Sequence, residues 1–170
     1  MDTKPTNPLQ AKAPRESRME AHYVLMPQHS NHYGIAFGGV IMSWIDLLAG
    51  MVAQKHCACE VVTASTDQIA FLSPIYIGDH VVLKASVNYV GRTSMEVGVK
   101  VIRENFYTGE SVHATTAYLT FVGIDEHKRP APVPGLRPET PDEVRRHANA
   151  RLRAESRKEL VKKLRGETVS

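Results

Sequence analysis

The fold of this 170-residue chain is decided by the stretch Gly38-Gly39-Val40-Ile41-Met42-Ser43-Trp44-Ile45-Asp46-Leu47-Leu48-Ala49-Gly50-Met51-Val52-Ala53. The pattern predicts one helix that is hydrophobic on nearly every face and that fades near residues 54–57, and such a helix is usually buried. Asp46 is its only charged residue. A buried carboxylate is costly to desolvate without a partner. Asp46 is therefore predicted either to have a structural partner or to take part in chemistry.

A polar, glycine-bearing loop, residues 29–37, leads into this helix. The free backbone N–H groups and the dipole at a helix N-terminus favour developing negative charge. A carboxylate, a polar loop and a helix end that attracts anions are the components of a hydrolytic site. Two histidines of the loop, His29 and His32, are additional acid or base candidates.

The rest of the main domain is predicted to be β-structure. Apolar residues alternate with a period of two in residues 80–90, 93–103 and 110–122, which is the pattern of strands with one face covered. In the first of these, Val81, Leu83, Ala85, Val87 and Tyr89 share the covered face. Residues 19–26 and 61–66 are two further strands, and short connections at 91–92 and 105–109 are typical of hairpins. We expect an α+β fold in which an antiparallel sheet wraps around one long central helix.

The chain divides into four segments. Residues 1–17, with three prolines, are predicted to be flexible, and residues 18–127 form the main domain. Residues 128–139 are a proline-rich linker, and residues 140–166 an additional C-terminal helix. Thr140, Pro141 and Glu143 supply a helix start with an N-cap hydroxyl. This helix is basic, and its thin apolar stripe suits either a neighbouring subunit or exposure to solvent.

Composition limits the function classes. No run approaches the roughly 18 apolar residues of a membrane span, and the N-terminus lacks the apolar region of a signal peptide, so the cytoplasm is the expected compartment. Cys57 and Cys59 are too close for an easy disulfide and have no second ligand pair for zinc, so no metal is expected. Despite the basic tail, no zinc finger, aromatic RNA-binding motif or helix-turn-helix supports nucleic-acid binding.

Three motifs carry a resemblance to a known family: the loop and helix from Asn31 to Asp46, residues 71–79 with Gly78-Asp79, and Gly91-Arg92-Thr93-Ser94-Met95. In this order and spacing the chain, from about residue 19 to residue 122, resembles hotdog-fold acyl-CoA thioesterases. More narrowly, it is similar to the acyl-CoA hydrolase branch with bacterial and cytosolic medium- and long-chain enzymes. The resemblance implies an antiparallel sheet around a central helix, and dimers with active sites at their interface that assemble further, with a hexameric trimer of dimers as the expected form.

The resemblance also implies site residues. Asp46 stands at the position of the catalytic carboxylate, and Asn31 at that of the second catalytic residue, contributed by the other subunit. Arg92, Thr93 and Ser94 match residues near the CoA moiety. The implied substrate is acyl-CoA, hydrolysed to a fatty acid and CoA in fatty acid metabolism, and no cofactor is implied beyond the CoA of the substrate.

Thioester hydrolysis needs an activated water or a carboxylate nucleophile, together with donors for the oxyanion. Asp46 fits the first role by either route, and the backbone N–H groups of Gly38 and Gly39 fit the second. Structural readings stay open beside these roles: Asp46 as a bonded structural aspartate, Asn31 and Asp79 as turn residues, and the glycines as a helix entry. Two other functions also stay open, an enoyl-CoA hydratase or dehydratase of the hotdog class and a non-catalytic acyl-CoA-binding module.

Overall fold

The structure, a computed structural model, describes residues 9–166. Five antiparallel strands form one sheet in the order β1-β3-β4-β5-β2. A long helix, α2, packs against one face, and a second, α3, packs against strand β3. The elements are α1 (Pro14–Ser17), β1 (Met19–Val24), α2 (Gly38–Cys57), β2 (Glu60–Thr66), β3 (His80–Val90), β4 (Ser94–Asn105), β5 (Glu110–Ile124) and α3 (Pro141–Leu164). The predicted α+β architecture is confirmed.

The core lies between α2 and the sheet face that α2 covers. Alternate residues of β3 and β4 point to this face, and every fourth or third residue of α2 meets them, as the two periodicities require. The buried side chains are Ile41, Ile45, Leu48 and Val52 from α2, Val81, Leu83, Ala85 and Val87 from β3, and Met95, Val97, Val99 and Val101 from β4.

The alternation of buried and outward-facing side chains in β3 is interrupted near its end. A β-bulge lies between Val87 and Tyr89 in the pairing of β3 with β4, and a bulge shifts the following side chains to the opposite face. The Tyr89 ring therefore leaves the core side, and its centroid lies 5.6 Å from that of His147 on α3. The prediction that Tyr89 shares the face of Val81 is wrong for this reason.

The expectation that α2 is buried on all sides is also wrong for the single chain. Met42, Leu47 and Met51 are 45%, 61% and 44% exposed, and Asp46 on the same side is exposed as well. The five strands cover only one side of the helix. Asp46 therefore does not carry the desolvation cost that a fully buried helix would impose.

The segment before β1 is shorter and better packed than predicted. Residues 1–8 of the segment predicted to be flexible lie outside the described residues. From Lys12 onward the chain is packed: the Lys12 ammonium donates to the carbonyl of His56 at 2.6 Å, and Ser17 is fully buried with its Oγ 3.3 Å from His56 Nδ1. Prolines at this end favour short, fixed turns when their flanking residues find partners in the core.

The segment predicted as a linker, residues 128–139, lies along the sheet. Ala131 N–H donates to the carbonyl of Gly123 at 2.9 Å, and Val133 N–H donates to that of Arg92 at 3.1 Å. The Val133 side chain is buried. Gly123 permits this approach, because a Cβ there would lie 2.6 Å from Val133 Cγ1.

Helix α3 begins with the predicted capping box: Thr140 Oγ1 accepts from Glu143 N–H, and the Glu143 carboxylate accepts from Thr140 N–H. On the sheet side of α3, Ala150 is fully buried and two arginines bind Glu96 of β4, while Leu152 and the apolar residues near the helix end are exposed. No helix among residues 9–166 is long and apolar enough to cross a membrane.

Candidate active site

Asp46 lies in the third turn of α2 and faces strand β2. Thr63 Oγ1 on β2 donates a hydrogen bond to Asp46 Oδ1 at 2.9 Å, and both residues are exposed. Within residues 9–166 the second oxygen, Oδ2, has no hydrogen-bonding or ionic partner. The pair therefore fixes one carboxylate oxygen and leaves the other available to an incoming molecule.

The N-terminus of α2 is uncapped. Phe37 stands at the N-cap without a side-chain hydrogen bond, and the N–H groups of Gly38 and Gly39 have no acceptor in the described part of the chain. A cavity of about 320 Å³ opens beside this helix end. Its lining is mostly apolar and consists of Ile35, Ala36, Gly38, Ile41, Phe71, Leu72, Ser73, Pro74 and Ile75. Free donors beside an apolar cavity suit a ligand with one polar group and a hydrocarbon chain.

Asn31 shapes the loop before α2. Its Oδ1 accepts from the N–H groups of Tyr33 at 3.0 Å and Ile35 at 3.4 Å, and Gly34 takes the left-handed conformation with φ of +74°. The turn role predicted as one alternative is present. The side-chain amide nitrogen donates to no other residue in the range 9–166, so it is available to a ligand.

Distance along α2 separates the two halves of the predicted site. Asp46 follows Gly38 by eight residues. At 1.5 Å rise per residue this is about 12 Å along the helix axis. A carbonyl group that reacts at Asp46 must lie within about 3 Å of its oxyanion donors. Within one chain, Asp46 and the N–H groups of Gly38 and Gly39 are too far apart to act on the same carbonyl.

Arg92, Thr93 and Ser94 lie at the β3–β4 turn. The Arg92 carbonyl accepts from Val133 N–H in the segment after β5, and the Thr93 carbonyl accepts from Gly123 N–H within β5, which fixes the turn. The Arg92 side chain is exposed and has no partner in the described range. Thr63 pairs with Phe121, and Phe121 pairs with Met95. The β3–β4 turn is therefore separated from Thr63 by two strand spacings, about 10 Å measured across the strands of the sheet.

Other candidates have structural roles. Asp79 is buried and its Oδ2 accepts from Tyr76 N–H at 2.8 Å, so it shapes the turn as predicted. His29 accepts from Met26 N–H, and His32 contacts the Tyr33 ring; neither is bonded to a carboxylate in the described chain. Burial raises the pKa of the Cys57 thiol to about 12, so it is inert as a nucleophile.

No group of three or more His, Cys, Asp or Glu side chains within residues 9–166 is arranged to hold a metal ion.

Phe71 lines the cavity beside Gly38. Phe37 is 57% exposed above Gly39, and Trp44 is buried, with its ring stacked 4.2 Å from Tyr23. Thr63 was not a predicted site residue. A threonine in a β-branched strand has no signature of its own, and only the packing of β2 on α2 brings it to Asp46.

Comparison with known proteins places this geometry in a family. A sequence model of the thioesterase superfamily matches residues 33–109. The uncharacterized acyl-CoA thioester hydrolase YkhA of Bacillus subtilis is 44% identical over 85% of this chain and 84% of its own. An acyl-CoA hydrolase from Staphylococcus aureus, solved with butyryl-CoA, CoA and CoA disulfide, is 37% identical with a TM-score of 0.86, covering 92% of this chain and 95% of its own. An apo hexameric acyl-CoA thioesterase is 39% identical with a TM-score of 0.87. The match covers 89% of this chain and 97% of that one.

The Staphylococcus aureus enzyme was also solved as three alanine variants, of an Asp, an Asn and a Thr, each 36% identical to this chain and covering 92% of it, with TM-scores of 0.86 to 0.88. The Asn precedes the Asp by 15 residues, and the Thr follows the Asp by 17. The same separations hold here between Asn31, Asp46 and Thr63. By its sequence and its fold, the chain belongs to the hotdog-fold thioesterase superfamily, among the acyl-CoA thioester hydrolases.

Proposed function

We propose that the protein hydrolyses acyl-CoA thioesters to a free fatty acid and CoA. The observation that carries this proposal is the Asp46 carboxylate, which stands on an exposed helix face with one oxygen held by Thr63 and the other without a partner among residues 9–166. The relatives whose names give an activity are acyl-CoA hydrolases or thioesterases, and one was solved with butyryl-CoA and CoA. No other carboxylate in the described chain combines this exposure with a hydroxyl donor from a neighbouring element.

The reaction adds the oxygen of water to the thioester carbon and breaks the C–S bond. Asp46 either accepts a proton from the attacking water or attacks the carbon itself, giving an anhydride that water then cleaves. In both routes the CoA sulfur leaves as a thiolate. In the general-base route the acid takes its new oxygen from water. In the nucleophile route water attacks the Asp46 carboxyl carbon of the anhydride, so the acid leaves with an Asp46 oxygen and the water oxygen stays on Asp46. The hydrogen bond from Thr63 orients the carboxylate so that its free oxygen faces the reacting carbon.

The site of this proposal is shared by two subunits. Asp46 and Thr63 come from one chain, and Asn31, Gly38 and Gly39 come from its partner, because 12 Å along α2 separates them within one chain. The exposed apolar side chains of Met42, Leu47 and Met51 surround Asp46 and support its burial against a partner.

Strand β2 has a free edge that suits pairing with a second copy. Hexameric relatives support a trimer of such dimers as the assembly of this proposal.

The remaining groups serve binding. The backbone N–H groups at the N-terminus of the partner's α2 stabilise the oxyanion that forms on the thioester carbonyl. The carboxamide of Asn31 donates to that carbonyl or to the attacking water. The free guanidinium of Arg92 suits a CoA phosphate, with Thr93 and Ser94 beside it. The cytoplasm is the proposed place of this reaction, as a step in fatty acid metabolism.

Release of CoA thiol from butyryl-, octanoyl- and palmitoyl-CoA tests the proposal. Asp46→Asn is expected to abolish release. Thr63→Val is expected to lower kcat by about 10- to 100-fold, the value of one hydrogen bond to a charged group. The matched control is Glu126→Gln, which removes a carboxylate that is 85% exposed and distant from Asp46 in the sequence. This variant should keep the wild-type rate of thiol release. Binding without thiol release, or hydration of an enoyl-CoA instead, would refute the proposal.

A single turnover in ¹⁸O-labelled water separates the two routes. A carboxylate nucleophile transfers its own unlabelled oxygen to the product acid and leaves the label on Asp46. A general base places the label directly in the acid.

A further inference from the structure

Charged side chains, rather than apolar ones, hold α3 on the outer face of the sheet. Glu96 on β4 is only 1% exposed. The Arg153 guanidinium contacts both of its carboxylate oxygens at 2.7 and 3.3 Å and lies over the Tyr118 ring at 3.6 Å. Arg157 approaches the same carboxylate at 3.3 Å. A buried carboxylate needs this pairing, so α3 has one fixed position on the sheet.

Arg157 has a second partner that does not belong to the docking of α3. Its Nη1 lies 2.6 Å from Oδ2 of Asp67, the first residue after strand β2. The side chains of Arg157 and Asp67 are 27% and 18% exposed. This partly buried ion pair joins the helix to the beginning of the segment between β2 and β3.

That segment forms the outer wall of the cavity at the α2 N-terminus. From Asp67 it runs beside β5 without becoming a strand, held by single hydrogen bonds: Asp67 N–H to the Tyr118 carbonyl at 3.0 Å, Thr115 Oγ1 to the Ala70 carbonyl at 2.8 Å, and Leu72 N–H to the Ala114 carbonyl at 2.8 Å. Residues 71–75 then line the cavity opposite Gly38.

Core packing holds this wall only in part: Ile75 is buried in the core and Ile69 packs against it, but most of the residues between them are exposed. Phe71 and Leu72 are 50% and 62% exposed. The exposed part of the wall around Phe71 and Leu72 depends on the anchors of the segment for its position, and the Asp67–Arg157 ion pair is the anchor to α3.

We infer that Arg157 and Asp67 are positioning residues that set the acyl-chain preference of the enzyme. They fix the start of the wall, residues 67–75, and thereby the width of the cavity that receives the acyl chain. Neither residue touches the reacting atoms. The inference rests on the proposed function for its substrate, and it gives the C-terminal helix a role in specificity.

The test compares Asp67→Asn and Arg157→Met with the wild type on butyryl-, octanoyl- and palmitoyl-CoA. A displacement of about 1 Å in a positioning group can cost about 100-fold in rate, so a loosened wall is expected to change the palmitoyl-to-butyryl ratio of kcat/KM by about tenfold. The double variant should show the same change as Arg157→Met alone, because Arg157→Met already removes the ion pair with Asp67.

The matched control is Arg151→Met, which removes an exposed arginine of the same helix whose one ion-pair partner within residues 9–166 is Glu155 at 2.9 Å. The palmitoyl-to-butyryl ratio of kcat/KM in Arg151→Met should equal that of the wild type. Asp67→Asn leaves both arginines on Glu96, so its effect is separate from any weakened docking of α3. An unchanged ratio in Asp67→Asn and Arg157→Met, or an equal change in Arg151→Met, would overturn the inference.

Hydrogen exchange gives a readout that needs no turnover. Amides of residues 68–75 should exchange faster in Asp67→Asn and Arg157→Met than in Arg151→Met or the wild type. Equal exchange would overturn the inference even in an active enzyme. A wild type that releases no thiol while its variants show faster exchange would overturn the proposed function and leave the anchoring role supported.

Discussion

Two inactive variants, Asn31→Ala and Asp46→Ala, are expected to regain about a quarter of the wild-type activity when their subunits are mixed. The reason is the length of α2: about 12 Å separates Asp46 from the helix N-terminus that follows the Asn31 loop. If each site combines Asp46 of one subunit with Asn31 of the other, one site of every mixed dimer contains no substitution.

The magnitude follows from random pairing. Equal amounts of the two variants give about half mixed dimers, and half of the sites in these are intact. The intact sites are therefore about one in four of all sites. Asn31→Ala removes the bonds that shape its loop, but the intact site takes its Asn31 loop from the Asp46→Ala subunit. Each intact site should therefore work at the wild-type rate.

The assay is thiol release from octanoyl-CoA after the two variants have been unfolded together and refolded. Different affinity tags on the two subunits, purified in sequence, isolate the mixed assemblies and show that exchange has occurred. The matched control mixes Asp46→Ala with Thr63→Ala. These two residues are bonded within one chain at 2.9 Å, so both sites of each mixed dimer are damaged and no activity should return.

Activity that stays at the average of the two parents, in assemblies shown to be mixed, would refute the reasoning. It would mean that Asn31 and Asp46 of a working site come from one chain. Equal recovery of activity in the control with Thr63→Ala would also refute the reasoning. It would mean that a working site does not need Asp46 and Thr63 from the same chain.

Three further outcomes are expected. Arg92→Ala should raise the KM for acyl-CoA by about tenfold with little change in kcat, and this difference should shrink in high salt, because a phosphate contact is screened. Arg153→Met should lower the free energy of unfolding in urea by about 3 kcal/mol, because Glu96 is buried and loses one of two partners; a change below about 1 kcal/mol would contradict this. Burial lowers the pKa of His56 below its ordinary value of 6.5, so the unfolded chain binds the proton first. The stability this neutral histidine contributes is complete above about pH 6.5 and declines as the pH falls from there towards the lower pKa of the folded state; urea unfolding between about pH 5 and pH 8 should show the decline in the wild type and a smaller one in His56→Asn.

Local patterns predicted the elements and several site residues. The apolar run from Gly38, the period-two segments and the start at Thr140 depend on neighbouring residues alone, so helix, strands and capping box could be predicted. Asp46 stood out because it interrupts an apolar helix. Its environment was predicted wrongly, because the number of helix faces that a sheet covers depends on how far the sheet curls.

What the sequence determined by itself was the order of the elements, the apolar helix that the sheet wraps, and the residue types needed for thioester hydrolysis. The tertiary structure decided which of these residues meet. Thr63 reaches Asp46 through the packing of β2 on α2, Tyr89 turns away at a bulge, and Arg157 joins α3 to Asp67, 90 residues earlier in the chain. Contacts between distant segments depend on strand register and helix placement, and these are fixed only when the whole core packs together.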